Sequence, residues 1–154
     1  MDITVKIIDI LTKNGISYEE VDHGVAQTCE ESALARGEDI SIGGKTILFK
    51  DKRDFHLFTL KASQEVDSNK VRKILKSQRL RFATSVELSE LCHVEKGALP
   101  PLGKELYPFE HYLDKSILEN ERIAFNAGIL TKSIIMSMKD YIGLTNPIIC
   151  EFAK

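Results

Sequence analysis

Cysteine is scarce and follows no pairing pattern: Cys29, Cys92 and Cys150 are widely spaced and odd in number. With no Cys-x-x-Cys pair, the sequence supports neither a zinc ribbon nor a thioredoxin-type site. An excess of charge of one sign is also missing. A net charge of −2 argues against a generally basic nucleic-acid coat. It leaves room for a local basic stripe, because phosphate contacts need only a few well-placed Lys or Arg. No apolar run approaches bilayer-spanning length. Met1-Asp2-Ile3 leads into an amphipathic pattern, not a signal peptide. Repeats, linkers and low-complexity stretches are absent. The expectation is a reduced, cytosolic (cytoplasmic) protein of one domain over residues 1–154, with no membrane partner and no DNA partner.

What is present is an ordinary globular balance, 43% hydrophobic and 29% charged, enough to bury one core. Ile3, Ile7, Ile8, Ile10 and Leu11 mark one face of a helix that Asn14-Gly15 stops. Ile16 to Val21 alternates as a strand. Thr28 with Glu31 makes a capping-box pattern, opening a helix that Gly37 closes. Thr46–Phe49 and Phe55–Leu60 flank the polar turn Lys50–Asp54, which predicts a hairpin. Asp67 or Ser68 caps a helix carrying Val71, Ile74 and Leu75, and Thr84-Ser85-Val86-Glu87 opens another through Leu88 and Leu91. Further strands are expected at Tyr112–Asp114, Arg122–Phe125, Lys132–Ser137 and Ile148–Phe152, with a short helix over Met138–Leu144. Strands and helices mix without strict alternation, so the class is α+β or mixed α/β.

Gly44-Lys45-Thr46 ends like a phosphate-binding loop, G-x-x-x-x-G-K-[ST]. Asp39 occupies the first glycine's place, and an apolar strand follows the lysine where a helix is required. The nucleoside-triphosphate reading fails on both counts. Metal ligation fares no better. His23, His56, His93 and His111 have no i,i+4 partner, and neighbouring Cys92 and His93 would point about 100° apart on a helix. Cys29 falls near an expected helix N-terminus, which favours a thiolate, but Glu30 and Glu31 beside it oppose one. Two loops stay open between connection and ligand contact. One is Gly97-Ala98-Leu99-Pro100-Pro101-Leu102-Gly103, which can be neither helix nor central strand. The other is Asn126-Ala127-Gly128.

The order of these pieces carries a resemblance. His23…Thr28, Gly44-Lys45-Thr46 entering a strand, the Gly97–Gly103 loop, Asp114-Lys115-Ser116 and Phe125-Asn126-Ala127-Gly128 together resemble the YbaK/prolyl-tRNA synthetase-associated family of editing domains, also called the INS superfamily. The similarity runs over nearly the whole chain. It implies a compact α/β domain around a mixed, barrel-like sheet, and hydrolysis of the ester of mischarged aminoacyl-tRNA without a cofactor. It implies Lys45 as the catalytic residue, with Thr46 beside it. Gly97, Ala98, Leu99, Pro100 and Pro101 would hold the terminal adenosine and ester, and Asn126, Ala127, Gly128 and Ser133 would form the opposite wall. His23 and Thr28 fall where the amino-acid pocket begins. The partner implied is the acceptor end of aminoacyl-tRNA, with a synthetase as a second candidate.

Two departures bear on the substrate. Some members carry an acidic residue near the Ser133 position, and Cys29 stands where relatives have bulkier pocket residues. No synthetase accompanies these 154 residues, so the resemblance is to free-standing members that act in trans. Two alternatives stay open: a non-catalytic module that binds tRNA or aminoacyl-adenosine, and a small-ester hydrolase using Cys29.

Overall fold

The computed structural model describes residues 2–25, 34 and 42–154. The helix expected over 28–37, with Thr28 and Cys29, lies outside the described residues apart from Leu34. Helix α1 spans Ile3–Lys13, and Asp2 caps it by accepting the Val5 amide. Its buried stripe is Ile3, Ile7 and Leu11, spaced by four so that all three share one face. The chain continues through β1 (Tyr18–Asp22), β2 (Gly44–Lys50), β3 (Phe55–Lys61) and α2 (Ser68–Leu75). Then come β4 (Arg81–Phe82), α3 (Ser85–Glu87), β5 (Glu110–Asp114), β6 (Arg122–Asn126), β7 (Lys132–Ser137), α4 (Met138–Thr145) and β8 (Ile148–Cys150).

Of the three expected caps, Thr28 with Glu31 lies outside the described residues and the other two form. Asp67 accepts the Asn69 and Lys70 amides at the start of α2. Thr84 and Glu87 exchange hydrogen bonds as a capping box. After α3 the helix widens to a π turn over Leu88–Cys92, so the expected continuation through Leu91 is real but not α-helical. The β2–β3 hairpin also forms. Asp51 builds its turn by accepting the Arg53 and Asp54 amides while holding His56 Nε2 at 2.9 Å.

The expected barrel is not closed. β1-β7-β6 makes one antiparallel sheet and β4-β2-β3-β5-β8 a second, mixed one. The sheets are joined by an isolated Gly43–Ala124 bridge. They pack face to face: Leu48, Leu57 and Leu113 of the second sheet meet Ile123, Phe125, Ile134 and Met136 of the first, with α1 and Tyr141 in the same core. Gly44 allows this approach, since a Cβ there would fall 2.8 Å from Ile123 Cδ1. The outer face of the larger sheet carries a second core of Phe49, Phe58, Leu60, Val71 and Phe152. Phe58 stacks on Tyr112 and meets Phe49 and Phe152 edge-on.

A polar chain crosses the inner face. Thr46 Oγ1 lies 2.8 Å from Thr59 Oγ1, and Thr59 Oγ1 lies 2.8 Å from His111 Nε2. The Tyr141 hydroxyl, buried beside this chain, donates to the Pro101 carbonyl at 2.7 Å. Gly103 seats the imidazole, because a Cβ there would sit 2.5 Å from His111 Nδ1, and its φ of +55° suits glycine.

Burial pushes the His111 pKa down to about 4 from the usual 6.5. The folded protein therefore keeps this ring neutral at pH values where the unfolded chain protonates it. The associated stability is complete above pH 6.5 and falls as pH drops towards 4. Wild-type unfolding free energy from urea titration should fall by about 2 kcal/mol between pH 7 and pH 5, from this site alone. His111→Gln should remove that part of the slope, and an unchanged slope in the variant would refute the assignment. Tyr141→Phe should cost about 1–3 kcal/mol, because it leaves the buried Pro101 carbonyl without its donor. Equal denaturation midpoints would show that the bond does not hold the loop.

Candidate active site

β4 covers β2 only at Phe49 and Lys50. Beyond that point the N-terminal half of β2 borders a cavity of about 570 Å³. Gly43 to Leu48 form one side, and Ala83, Thr84, Ser85 and Leu88 another. Lys96, Gly97, Leu99, Asn126, Ala62 and Phe82 also line it among the described residues. Strand alternation places Lys45 on the opposite sheet face from Thr46, whose side chain joins the buried hydroxyl chain. Fixing Thr46 thus fixes the backbone from which Lys45 projects.

Two lysines, Lys45 and Lys96, line the cavity, and no carboxylate does among the described residues. Neither lysine pairs with a described acidic side chain. The described lining is therefore cationic, with two lysines and no carboxylate, and suits an anionic or electron-rich ligand.

The opposite wall is built by hydrogen bonds. Asn126 Nδ2 donates to the Gly97 carbonyl at 2.9 Å. Ser133 sits opposite Asn126 in the β6–β7 register, with Oγ 3.3 Å from Asn126 Oδ1. His23 Nε2 lies 2.9 Å from Ser133 Oγ, and its Nδ1 donates to the Gly24 carbonyl. The chain His23–Ser133–Asn126–Gly97 thus ties the end of β1 to the loop across one row of the small sheet.

The expected site residues separate into three groups. Lys45, Thr46, Gly97, Leu99 and Asn126 come together around the cavity. His23 and Ser133 stand behind Asn126 and reach the cavity through it. Ala98, Pro100 and Pro101 are buried, and shape the loop from inside. Ala127 and Gly128 pack on α1, where Thr4 Oγ1 donates to the Ala127 carbonyl at 2.6 Å. Thr28 lies outside the described residues.

The loop's amides are fewer than the sequence suggests. Pro100 and Pro101 have none, and the Ala98 N–H is committed to the Glu95 carbonyl. Gly97 and Leu99 remain, the two loop residues that line the cavity. Sequence reasoning passed over Lys96 and Phe82. Lys96 adjoins the recognised Gly97, and Phe82 follows a charged residue just before a capping box; those were the available signals.

The described cysteines are poor nucleophiles. Burial pushes the Cys92 thiol up to about 12, and burial followed by the Asp114 charge raises Cys150 to about 11. Among the described residues no group of three His, Cys, Asp or Glu converges as a metal site. Nor is any helix among them long and apolar enough to cross a membrane.

Residues 23–144 match the family model of the aminoacyl-tRNA editing domain. The chain is 28% identical over 155 residues to the multifunctional Ser/Thr-tRNA deacylase ProXp-y of Escherichia coli K12, covering 97% of this chain and 92% of that protein. It is 23% identical over 145 residues to the prolyl-tRNA editing protein ProX of Acetoanaerobium sticklandii, covering 91% and 88%. A crystal structure of a candidate trans-editing enzyme for prolyl-tRNA synthetase superposes with a TM-score of 0.84 at 22% identity, over 100% of this chain and 98% of that one. That likeness speaks for the fold. With the family model covering most of its length, the chain belongs to the aminoacyl-tRNA editing domain family.

Proposed function

We propose that this protein is a trans-acting aminoacyl-tRNA deacylase, which hydrolyses the ester of mischarged tRNA with Lys45 as its principal catalytic residue. The observation that carries the reading is a cationic recess bordered by Lys45 and by the Gly97 loop, in a chain of the editing family. In the reaction, water adds to the ester carbonyl carbon and negative charge develops on the carbonyl oxygen. The carbon–oxygen bond to the ribose then breaks, and the ribose oxygen leaves as a hydroxyl after taking up a proton. The amides of Gly97 and Leu99 are the loop donors available to that oxyanion, and such a donor is commonly worth about 3 kcal/mol. Lys45 supplies a compact positive charge to the phosphate or carbonyl end of the substrate.

No carboxylate or imidazole lines the cavity among the described residues. Positioning of the water, with the substrate's own groups as proton carriers, fits this lining better than a protein general base. The same scarcity favours tRNA esters, which are already activated. The names of two relatives suggest small side chains or proline-system errors as substrates. Docking on a synthetase is a second element of the proposal.

The tRNA body would meet surface cations that have no partner among the described residues. Arg81 is engaged by Glu87, Arg72 by Gln78 and Asn69, and Lys70 by the Ala153 carbonyl. Lys50 sits over the Phe55 ring. This leaves Lys52, Arg53, Lys73, Lys76 and Arg79 as contacts to phosphate.

Purified protein assayed against a panel of mischarged tRNAs should release the amino acid from at least one. Lys45→Ala should lower that rate by about 100-fold or more with unchanged circular dichroism. Near-normal turnover in the folded variant would remove Lys45 from the mechanism. Binding of tRNA without hydrolysis of any panel member would favour the non-catalytic module. At limiting tRNA, deacylation should fall steeply as salt rises, and a flat response would exclude extended phosphate contact.

A further inference from the structure

Phe82 presents a problem that the fold does not solve. It is 56% exposed, beside a cavity, on a strand of only two residues. One ring face is used: it stacks on Phe49 with centroids 4.9 Å apart and planes 27° from parallel. Phe49 is 1% exposed and is itself held edge-on by Phe58. The support beneath Phe82 is therefore a fixed part of the second core.

Its backbone is fixed as well. Phe82 pairs with Phe49 in the β2–β4 register, and the next residue, Ala83, donates its amide to the Leu48 carbonyl at 2.8 Å. Arg81 on the other side grips both Glu87 carboxylate oxygens, and Glu87 in turn closes the Thr84 capping box. A phenyl ring held this firmly, with one face packed and the rest open to solvent, is a preformed stacking surface. It loses little conformational freedom when a second flat ring covers it.

The charge around it indicates which flat ring. Lys45 and Lys96 line the same cavity, and no carboxylate does among the described residues. An aromatic side chain next to cations is how proteins hold single-stranded nucleic acid, one stacking the base and the others meeting phosphate. We propose that Phe82 is the stacking platform for the 3′-terminal nucleobase of the RNA substrate, with Lys96 meeting the adjoining phosphate. This rests on the editing-domain reading and adds to it a residue that binds the base rather than the amino acid. If Phe82 merely covered the cavity with apolar surface, leucine would serve equally well. If it touched the amino-acid side chain, its loss would depend on the amino acid and not on the base.

The test uses two short single-stranded RNAs that differ only in the terminal residue, adenosine or an abasic ribose, with binding followed by fluorescence anisotropy. Wild-type protein should bind the adenosine-ended RNA about 10-fold more tightly. Phe82→Leu should abolish that preference and Phe82→Tyr should keep it. With a mischarged tRNA that the wild type hydrolyses, Phe82→Leu should raise KM by about 10-fold with kcat nearly unchanged, whichever amino acid is attached. Equal or absent binding of both RNAs by the wild type overturns the proposal, as does a base preference that survives in Phe82→Leu. Wild-type protein that prefers the terminal base but hydrolyses no panel member would sink the deacylase reading and leave the platform standing. Hydrolysis without any base preference would do the reverse.

Discussion

The rest of the site depends on two buried polar anchors, the chain Thr46–Thr59–His111 and the Tyr141 hydroxyl on the Pro101 carbonyl. The first fixes the strand from which Lys45 projects and the second fixes the loop facing it, so together they set the distance between cation and loop. Hydroxyl and imidazole groups in a core are costly unless satisfied, and each member here satisfies another. Leucines in the same places would bury more apolar surface but would not fix the loop. One atom stays outside this balance: His111 Nδ1 is buried with no hydrogen-bond partner among the described residues. Burial keeps the ring neutral, and neutrality lets it sit against Gly103 without a counter-ion.

A second set of bonds, His23–Ser133–Asn126–Gly97, holds the same loop from the other side. The loop is thus gripped at its first residue from the small sheet and at Pro101 from α4, with its prolines buried between. The proposed catalysis by positioning needs this arrangement. If geometry and not a side-chain base places the water, a loose wall would forfeit rate.

Features carried by local chemistry could be read from the sequence. Asp67 and the Thr84–Glu87 box cap helices because their side chains reach amides three residues away, whatever the tertiary context. The β2–β3 hairpin was readable from two apolar runs around a polar turn. Lys45, the Gly97 loop and Asn126 were found only by their order along the chain. Features set by distant pairing were not readable. The two residues of β4 carry no periodicity and become a strand because β2 has an open edge there. The parallel placement of β5 between β3 and β8 depends on which faces the two cores bury. Phe82 looked like one more apolar residue until Phe49 was seen beneath it. Ala127 and Gly128 meet α1: Thr4 donates to the Ala127 carbonyl, and a Cβ at Gly128 would fall 2.6 Å from Ile3 Cγ2.

The outer core has a consequence for the order in which the molecule is assembled. Phe152 fills that core, and Asp114 fastens its amide and that of Ala153 at 2.8 and 2.9 Å. Val71 and Phe49 therefore wait, during synthesis, for a side chain encoded far downstream. The α1-side core also closes late in the chain, with Met138 and Tyr141. Long-range closure of this kind is slow because the intervening chain must be ordered before the contact repays it. The support beneath Phe82 is therefore completed by a residue far downstream of it, so loosening the Asp114 clamp on Phe152 would also loosen the ring at the cavity.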